Sequence, residues 1–220
     1  YSEFLIASIT KMFTIVSLLI LNQREKLNIN DKLGKYIKNK HIENLKIIDI
    51  MNHESGLKNM WEDSNRKQLE KKYTSATEVY NDNKKEKNLI ENKSGYSNLG
   101  YILLGVLIEK VSNKKYSEFV KENILIPLKM NNTGFEDCNI TIYTKKGKRL
   151  NRYEKRERKF STSSGELKSC INDLILFTNF PLKLLDKNSR ENLKKLYILK
   201  DKQDEYMIKH TGGISGGDSF

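Results

Sequence analysis

The segment FLIASITKMFTIVSLLIL, Phe4 to Leu21, limits what this chain can fold into more than any other stretch. It is apolar almost all round, so as a helix it must be enclosed on every side rather than laid on a surface. Yet it carries a serine at position 8 and a lysine at position 11. An unpaired ammonium is costly to bury in such a run, so the fold must give that lysine partners. Residues three apart share a helix face, which sets Ser8 and Lys11 side by side near one end. A helix is predicted from Ser8 to about Arg24, closed by the polar NQREK. Its most apolar part, Met12 to Leu21, is too short for a membrane span and is interrupted by Thr14 and Ser17.

A second enclosed helix is predicted from Leu99 to Val111, in YSNLGYILLGVLIEKVS. KIIDIMNHESGL reads as a short helix closing in a turn-rich loop at Asn52 to Gly56. The polar stretch from Lys58 to Lys93 reads as a mostly helical, partly exposed insertion. A short amphipathic helix at Ser117 to Asn123 and an extended segment with a turn in PLKMNNTGF are expected next. Residues 140–161 alternate weakly, as a basic hairpin does. SCINDLILFTNF and NSRENLKKLYIL read as helices, and EYMIKHTGG as a strand running into a glycine turn. With 220 residues, no internal repeat and no low-complexity linker, the chain is expected to form one domain over 1–220.

The net charge of +12 suits an anionic partner in principle. The lysines, however, are spread along the whole chain and mixed with Asn, Ile and acids, which describes a solvated surface rather than a nucleic-acid footprint. No nucleic-acid partner and no transmembrane segment are expected. Cys138 and Cys170 lack metal-ligand spacing and make no disulfide framework, so they read as buried or free thiols. Neither a metal nor another cofactor is expected.

Three short motifs carry chemistry. A serine nucleophile needs a group to take its proton, and a lysine can help once burial lowers its pKa. Ser-x-x-Lys occurs four times, at Ser8/Lys11, Ser55/Lys58, Ser64/Lys67 and Ser112/Lys115. Only the first heads a strongly apolar helix. Among eleven tyrosines, only Tyr96 is followed two residues on by Asn, in GYSNLGY. A tyrosine there, facing Lys11, would have a lowered pKa and act as general base and acid. Asn98 would donate its amide to a substrate carbonyl, or would simply cap the helix that follows. In HTGG, His210 to Gly213, small residues at a strand end admit a substrate backbone, and their N–H groups can join that of Ser8 in an oxyanion hole. A plain turn is the alternative. His41 and His53, in loop and turn, read as structural rather than chemical.

The order S-x-x-K, Y-x-N, H-T-G resembles the serine β-lactamase and penicillin-binding-protein superfamily. The tyrosine variant is similar to the class C β-lactamase branch, with its D-alanyl-D-alanine carboxypeptidase and esterase relatives. ASITKMFT, LNINDKLGKYI, IIDIMNHESGL, YSNLGYILLGVLIEKVSNKKYSEFVKENILIPLKMNNTGF, SSGELKSCINDLILF and KHTGGISGG follow that family's line of segments in order. The resemblance implies an α+β, β-lactamase/transpeptidase-like fold, with a helical region packed on an antiparallel sheet. Relatives place strands before the Ser-x-x-Lys helix and after the H-T-G strand. This sequence starts at Tyr1 and stops seven residues after Gly213, so the sheet is expected to be incomplete and the chain truncated at both ends.

The resemblance also implies an acyl-enzyme on Ser8, with Lys11 and Tyr96 moving the proton and Asn98 orienting the substrate. His210, Thr211, Gly212 and Gly213 would line the substrate, the Gly213 N–H facing the oxyanion. His210 stands where class C enzymes carry lysine, and a neutral imidazole attracts a carboxylate less than an ammonium does. The implied partner is a small molecule or peptide with a reactive carbonyl: a β-lactam, a D-amino-acid peptide or an ester. The alternative is an inactive, truncated relative that binds or senses a ligand. Relatives work in the periplasm, outside the cell or at the membrane surface; the sequence itself carries no signal that fixes a location.

Overall fold

The computed structural model describes residues 3–59, 68, 72–73, 75–83, 90, 95–136, 142–143, 149–150, 162–200, 206–208, 212–214 and 217–219. The helices are α1 (Thr10–Gln23), α2 (Ile47–Met51), α3 (Ala76–Asn83), α4 (Asn98–Ser112), α5 (Tyr116–Val120), α6 (Ile126–Leu128), α7 (Thr162–Gly165), α8 (Ile171–Phe177), α9 (Phe180–Leu184) and α10 (Lys187–Tyr197). Strands come in antiparallel pairs: β1 (Phe4–Leu5) with β4 (Lys168–Ser169), β2 (Ile142–Tyr143) with β3 (Arg149–Leu150), β5 (Ile198–Lys200) with β6 (Tyr206–Ile208), and β7 (Gly212–Ile214) with β8 (Gly217–Ser219). The molecule is thus α+β with a dominant helical part.

The apolar sequences of α1 and α4 place both in the centre. Every residue from Thr10 to Leu21 is buried, and so is every residue from Leu99 to Ile108. The two helices pack on each other, with α7 against both, α2 and α3 against α4, and α10 against α1. Phe13 extends this core by stacking on Phe177 at 3.9 Å between ring centroids, and Phe177 on Phe180 at 4.8 Å. Full enclosure obliges every polar group of α1 to find a partner, because an unmade bond in the interior costs about 1–3 kcal/mol. Each does. Thr10 Oγ1 accepts the Leu167 N–H at 3.2 Å, Thr14 Oγ1 donates to the Ser163 carbonyl at 2.6 Å, and Ser17 Oγ donates to the Phe13 carbonyl at 2.8 Å. Tyr116, fully buried, shares a 2.8 Å bond with Thr14 Oγ1.

Two of these contacts, those of Thr10 and Thr14, run to residues 163–167, so the polar stripe of α1 fixes the α7 segment. A glycine makes the close approach possible. A Cβ on Gly105 of α4 would lie 2.2 Å from Ser163 Oγ and 2.7 Å from Ser163 Cβ, and Ser163 Oγ donates to the Tyr101 carbonyl at 2.8 Å. The start of α4 is held by Ser97, whose Oγ accepts the Gly100 N–H at 3.1 Å, and its end by Asn113 in the left-handed region. Ser97, not Asn98, is therefore the capping residue. Before α1 the chain makes one 3₁₀ turn, Ala7–Ile9, anchored by the Ile6 N–H on the Leu167 carbonyl at 3.0 Å. Ala7 has φ +45°, a left-handed value that alanine adopts only under constraint.

Three expectations change. The helix after Ser117 does not stop at Asn123. It passes through a π-helical turn, Lys121–Leu125, into α6, which contains Pro127 at its first turn, where a missing N–H is harmless. IPL is therefore helical rather than extended, and Lys129 at φ +61° ends it. The last residues of NSRENLKKLYIL leave the helix as β5, and the glycines of HTGG lie in strand β7 rather than a turn. β2 and β3 pair inside the expected basic hairpin. Within the polar insertion, α3 is the helix described. Most of the rest of 58–93 and 140–161, together with Cys138, His210 and Thr211, lies outside the described residues. Cys170 is a buried free thiol, and no helix among the described residues is long and apolar enough to cross a membrane.

Replacing Gly105 by Ala tests the α4–α7 contact. The added methyl group displaces the Ser163 backbone, and denaturant unfolding is expected to show a loss of about 1–3 kcal/mol, the usual range for overpacking. An unchanged midpoint would mean that α7 has room to move.

Candidate active site

Ser8 sits in the 3₁₀ turn that feeds α1, so its side chain stands at the head of the most enclosed helix of the fold. Lys11 follows one turn later and is fully buried. Its Nζ donates to Ser8 Oγ at 3.0 Å, to Asn98 Oδ1 at 2.8 Å and to the Ser164 carbonyl at 2.6 Å. The three hydrogen-bonding positions of the amine are thereby filled, each from a different segment: the α1 turn, the start of α4, and α7. Nζ also lies 4.9 Å from the ring centroid of Tyr96 and 5.4 Å from that of Tyr101. Burial without a bonded carboxylate among the described residues pulls the Lys11 pKa down from 10.5 to about 7. Desolvation alone accounts for this shift, since it penalises the charged form.

Tyr96 also reaches Ser8. Its Oη is 2.6 Å from Ser8 Oγ, although the residue as a whole is 45 % exposed. Ser8 Oγ therefore lies between an amine and a phenol, both at hydrogen-bond distance. The Tyr96 pKa is raised, not lowered as the sequence suggested. Desolvation of the phenol outweighs the opposing hydrogen bond from Ser8. Asn98 presents Oδ1 to Lys11, while its backbone N–H and its Nδ2 both donate to Asn59 Oδ1 at 3.3 Å.

β7, with Gly212 and Gly213, lies against the Ala7–Ile9 turn. Gly213 is paired with Asp218 across the β7–β8 ladder. The structure thus brings together Ser8, Lys11, Tyr96 and Asn98 by direct hydrogen bonds and sets the glycine strand beside them. His210 and Thr211 lie outside the described residues.

Sequence reasoning missed three participants. The Ser164 carbonyl is a backbone group in TSSG and has no side-chain signature. Asn59 and His53 both belong to the turn-rich loop after α2. The Lys58 carbonyl from that loop accepts Ser97 Oγ at 3.1 Å, and His53 Nδ1 accepts the Ser97 N–H at 3.1 Å. The order of residues in HESGLKN gives no hint that it folds back over GYSN. Among the described residues, no group of three or more His, Cys, Asp or Glu side chains gathers to hold a metal ion.

A family model described as Beta-lactamase matches residues 2–213. Penicillin-binding protein 4* of Bacillus subtilis (strain 168) is 31% identical over 143 residues, which is 60% of this chain and 30% of that protein. Teichoic acid D-alanine hydrolase of Staphylococcus aureus is 33% identical over 135 residues, covering 61% of this chain and 33% of that protein. The octameric penicillin-binding protein homologue of Pyrococcus abyssi superposes with a TM-score of 0.79 at 22% identity, over 96% of this chain and 57% of that one. The matches thus span about a third of the curated relatives' length. The order of the motifs, the fold and the family match agree, and the chain belongs to the β-lactamase family, within the serine β-lactamase and penicillin-binding-protein superfamily.

Proposed function

We propose that this protein is a serine hydrolase that forms an acyl-enzyme on Ser8. The observation that carries this reading is the placement of Lys11 Nζ at 3.0 Å and Tyr96 Oη at 2.6 Å from one hydroxyl oxygen. Of the three partners of Lys11, Asn98 Oδ1 and the Ser164 carbonyl can only accept, whereas Ser8 can accept or donate. A neutral amine fits this set. On losing its third proton it keeps donating to Asn98 and Ser164, and the bond to Ser8 reverses, the lone pair now accepting the Ser8 O–H. Near neutral pH a substantial fraction of Lys11 has this form, given a pKa of about 7.

The steps follow from these positions. Ser8 Oγ attacks the substrate carbonyl carbon as its proton passes to Lys11. The carbonyl π pair moves onto oxygen, where the N–H groups of Ser8 and Gly213 meet it. Collapse of the tetrahedral adduct breaks the bond to the leaving nitrogen or oxygen, which takes a proton from the Tyr96 hydroxyl. The Lys11 ammonium restores the proton of Tyr96. A raised phenol pKa suits this donor role better than that of a resting phenolate. Water then attacks the acyl carbon, and the same pair of groups takes its proton and returns one to Ser8 Oγ. Asn98 Nδ2 has a second hydrogen for the substrate beside the one given to Asn59.

Similarity to teichoic acid D-alanine hydrolase and to penicillin-binding protein 4* favours substrates in which the acyl group is D-alanyl or a β-lactam. Ester, amide and β-lactam carbonyls are all open to this attack. His210 and Thr211, beside Gly212 and Gly213, are proposed to line the substrate.

A fluorescent penicillin and an activated D-alanyl ester, followed by intact-mass and peptide mapping, test the reading. One adduct on Ser8 is expected, and none in Ser8→Ala. Absence of an adduct from either probe in folded protein would overturn it. The acylation rate should rise with pH and level off above a midpoint near 7, as Lys11 loses its proton.

Stability offers a check that needs no substrate. The folded chain releases the Lys11 proton near pH 7, and the unfolded chain near 10.5. Between those values the unfolded state binds more protons, so this group makes stability rise with pH across the window. Urea unfolding of the native protein at pH 7 and pH 9 should show that rise, and in Lys11→Met its Lys11 portion should vanish. An identical rise in both proteins would mean that Lys11 keeps its charge when folded.

A further inference from the structure

The geometry points to His53 as the residue that holds Tyr96 against Ser8, a positioning role that rests on the acyl-transfer reading above. Tyr96 is 45 % exposed, so core packing does not fix its hydroxyl from all sides. What fixes it is a bracket. The His53 carbonyl accepts the N–H of Gly95 at 3.1 Å, and His53 Nδ1 accepts the N–H of Ser97 at 3.1 Å. One residue thus binds the amide before Tyr96 and the amide after it. The imidazole also lies along the phenol, with ring centroids 4.5 Å apart and planes 32° apart. The imidazole also lies 4.9 Å from the ring of Tyr101, whose Oη donates to the Met51 carbonyl at 2.7 Å. Tyr101 is fully buried in α4, so the bracket is referred to the rigid core.

Two features make the residue at 53 specific. Its backbone has φ +60°, a left-handed value that Asn, Asp, His and Gly accept more readily than other residues. Its side chain must present an acceptor at Nδ1. The imidazole therefore carries its proton on Nε2, because a proton on Nδ1 would face the Ser97 N–H. His53 does not touch Ser8. It acts through Tyr96, whose 2.6 Å contact with Ser8 Oγ depends on the path of residues 95–97.

His53→Asn and His53→Gly separate the roles. Both residues accept the left-handed backbone. Asn keeps an acceptor at the Nδ1 position, while Gly removes acceptor and ring together. Acylation of Ser8 by fluorescent penicillin is expected to fall about 100-fold in His53→Gly, as for a displacement of about 1 Å at a reacting group. In His53→Asn it should stay within about threefold of native, well inside that loss. Amide hydrogen exchange at Ser97 should be protected in the native protein and in His53→Asn, and unprotected in His53→Gly. Native acylation by His53→Gly, or equal loss in both variants, would overturn the assignment. Nitrogen-15 NMR of the native imidazole gives an answer even if His53→Gly does not fold. Protonated Nε2 with bare Nδ1 is expected, and protonated Nδ1 would overturn the inference. Should the native protein take no acyl group at all, the acyl-transfer reading fails alone. The imidazole tautomer and Ser97 exchange still decide whether His53 holds the Tyr96 loop.

Discussion

The burial of one amine organises this structure. Lys11 Nζ is taken out of water and bonded by Ser8, Asn98 and the Ser164 carbonyl, groups that come from residues far apart in the chain. Inside a protein such bonds are stronger than in water, and a missing one is correspondingly damaging. The three segments therefore cannot drift independently. A shift of α7 would strip the amine of one acceptor, and a shift of the α4 start would strip it of another. The same low-polarity surroundings lower the proton affinity of Lys11, so the packing that fixes its position also sets its chemistry.

The rest of the helical part serves that burial. α1 has no solvent face, and its threonines and serine spend their hydrogen bonds on the 163–167 segment or on the helix itself. Gly105 lets that segment come close enough to deliver the Ser164 carbonyl. Ser97 ends the loop of Tyr96 by capping α4, so the phenol and the amide of Asn98 leave the helix start at a defined angle. The loop after α2 closes over them through His53, Lys58 and Asn59. The Ser8 hydroxyl is partly exposed, yet the groups that hold it are anchored in the core.

How much of this was legible in the sequence depended on the kind of signal. The two enclosed helices were visible because long apolar runs leave no alternative, and the Ser8–Lys11 and Tyr96–Asn98 pairs stood out because each sits at the head of such a run. The Ser164 carbonyl could not be seen, since a backbone acceptor has no residue type. The direction of the Tyr96 pKa was misjudged because adjacency to a lysine suggests a charge. Only the folded burial shows that this lysine is drawn toward neutrality. The extended reading of PLKMNNTGF fails at its start, because Pro127 sits in the first turn of α6, where it has no bond to break. Glycines in HTGG suggested a turn, because the short β7–β8 hairpin, with partners only three to seven residues apart, carries no alternating apolar pattern to mark its strands.

The protonation of Lys11, on which the proposed chemistry depends, can be observed directly. Selective labelling of Lys11 at Cε and Nζ, followed by an NMR titration of the native protein, reports its proton without substrate or reaction. A midpoint near pH 7 is the result expected of an amine held by Ser8, Asn98 and the Ser164 carbonyl with desolvation in control. A side chain that stays protonated up to about pH 10, as a solvated lysine does, would contradict it.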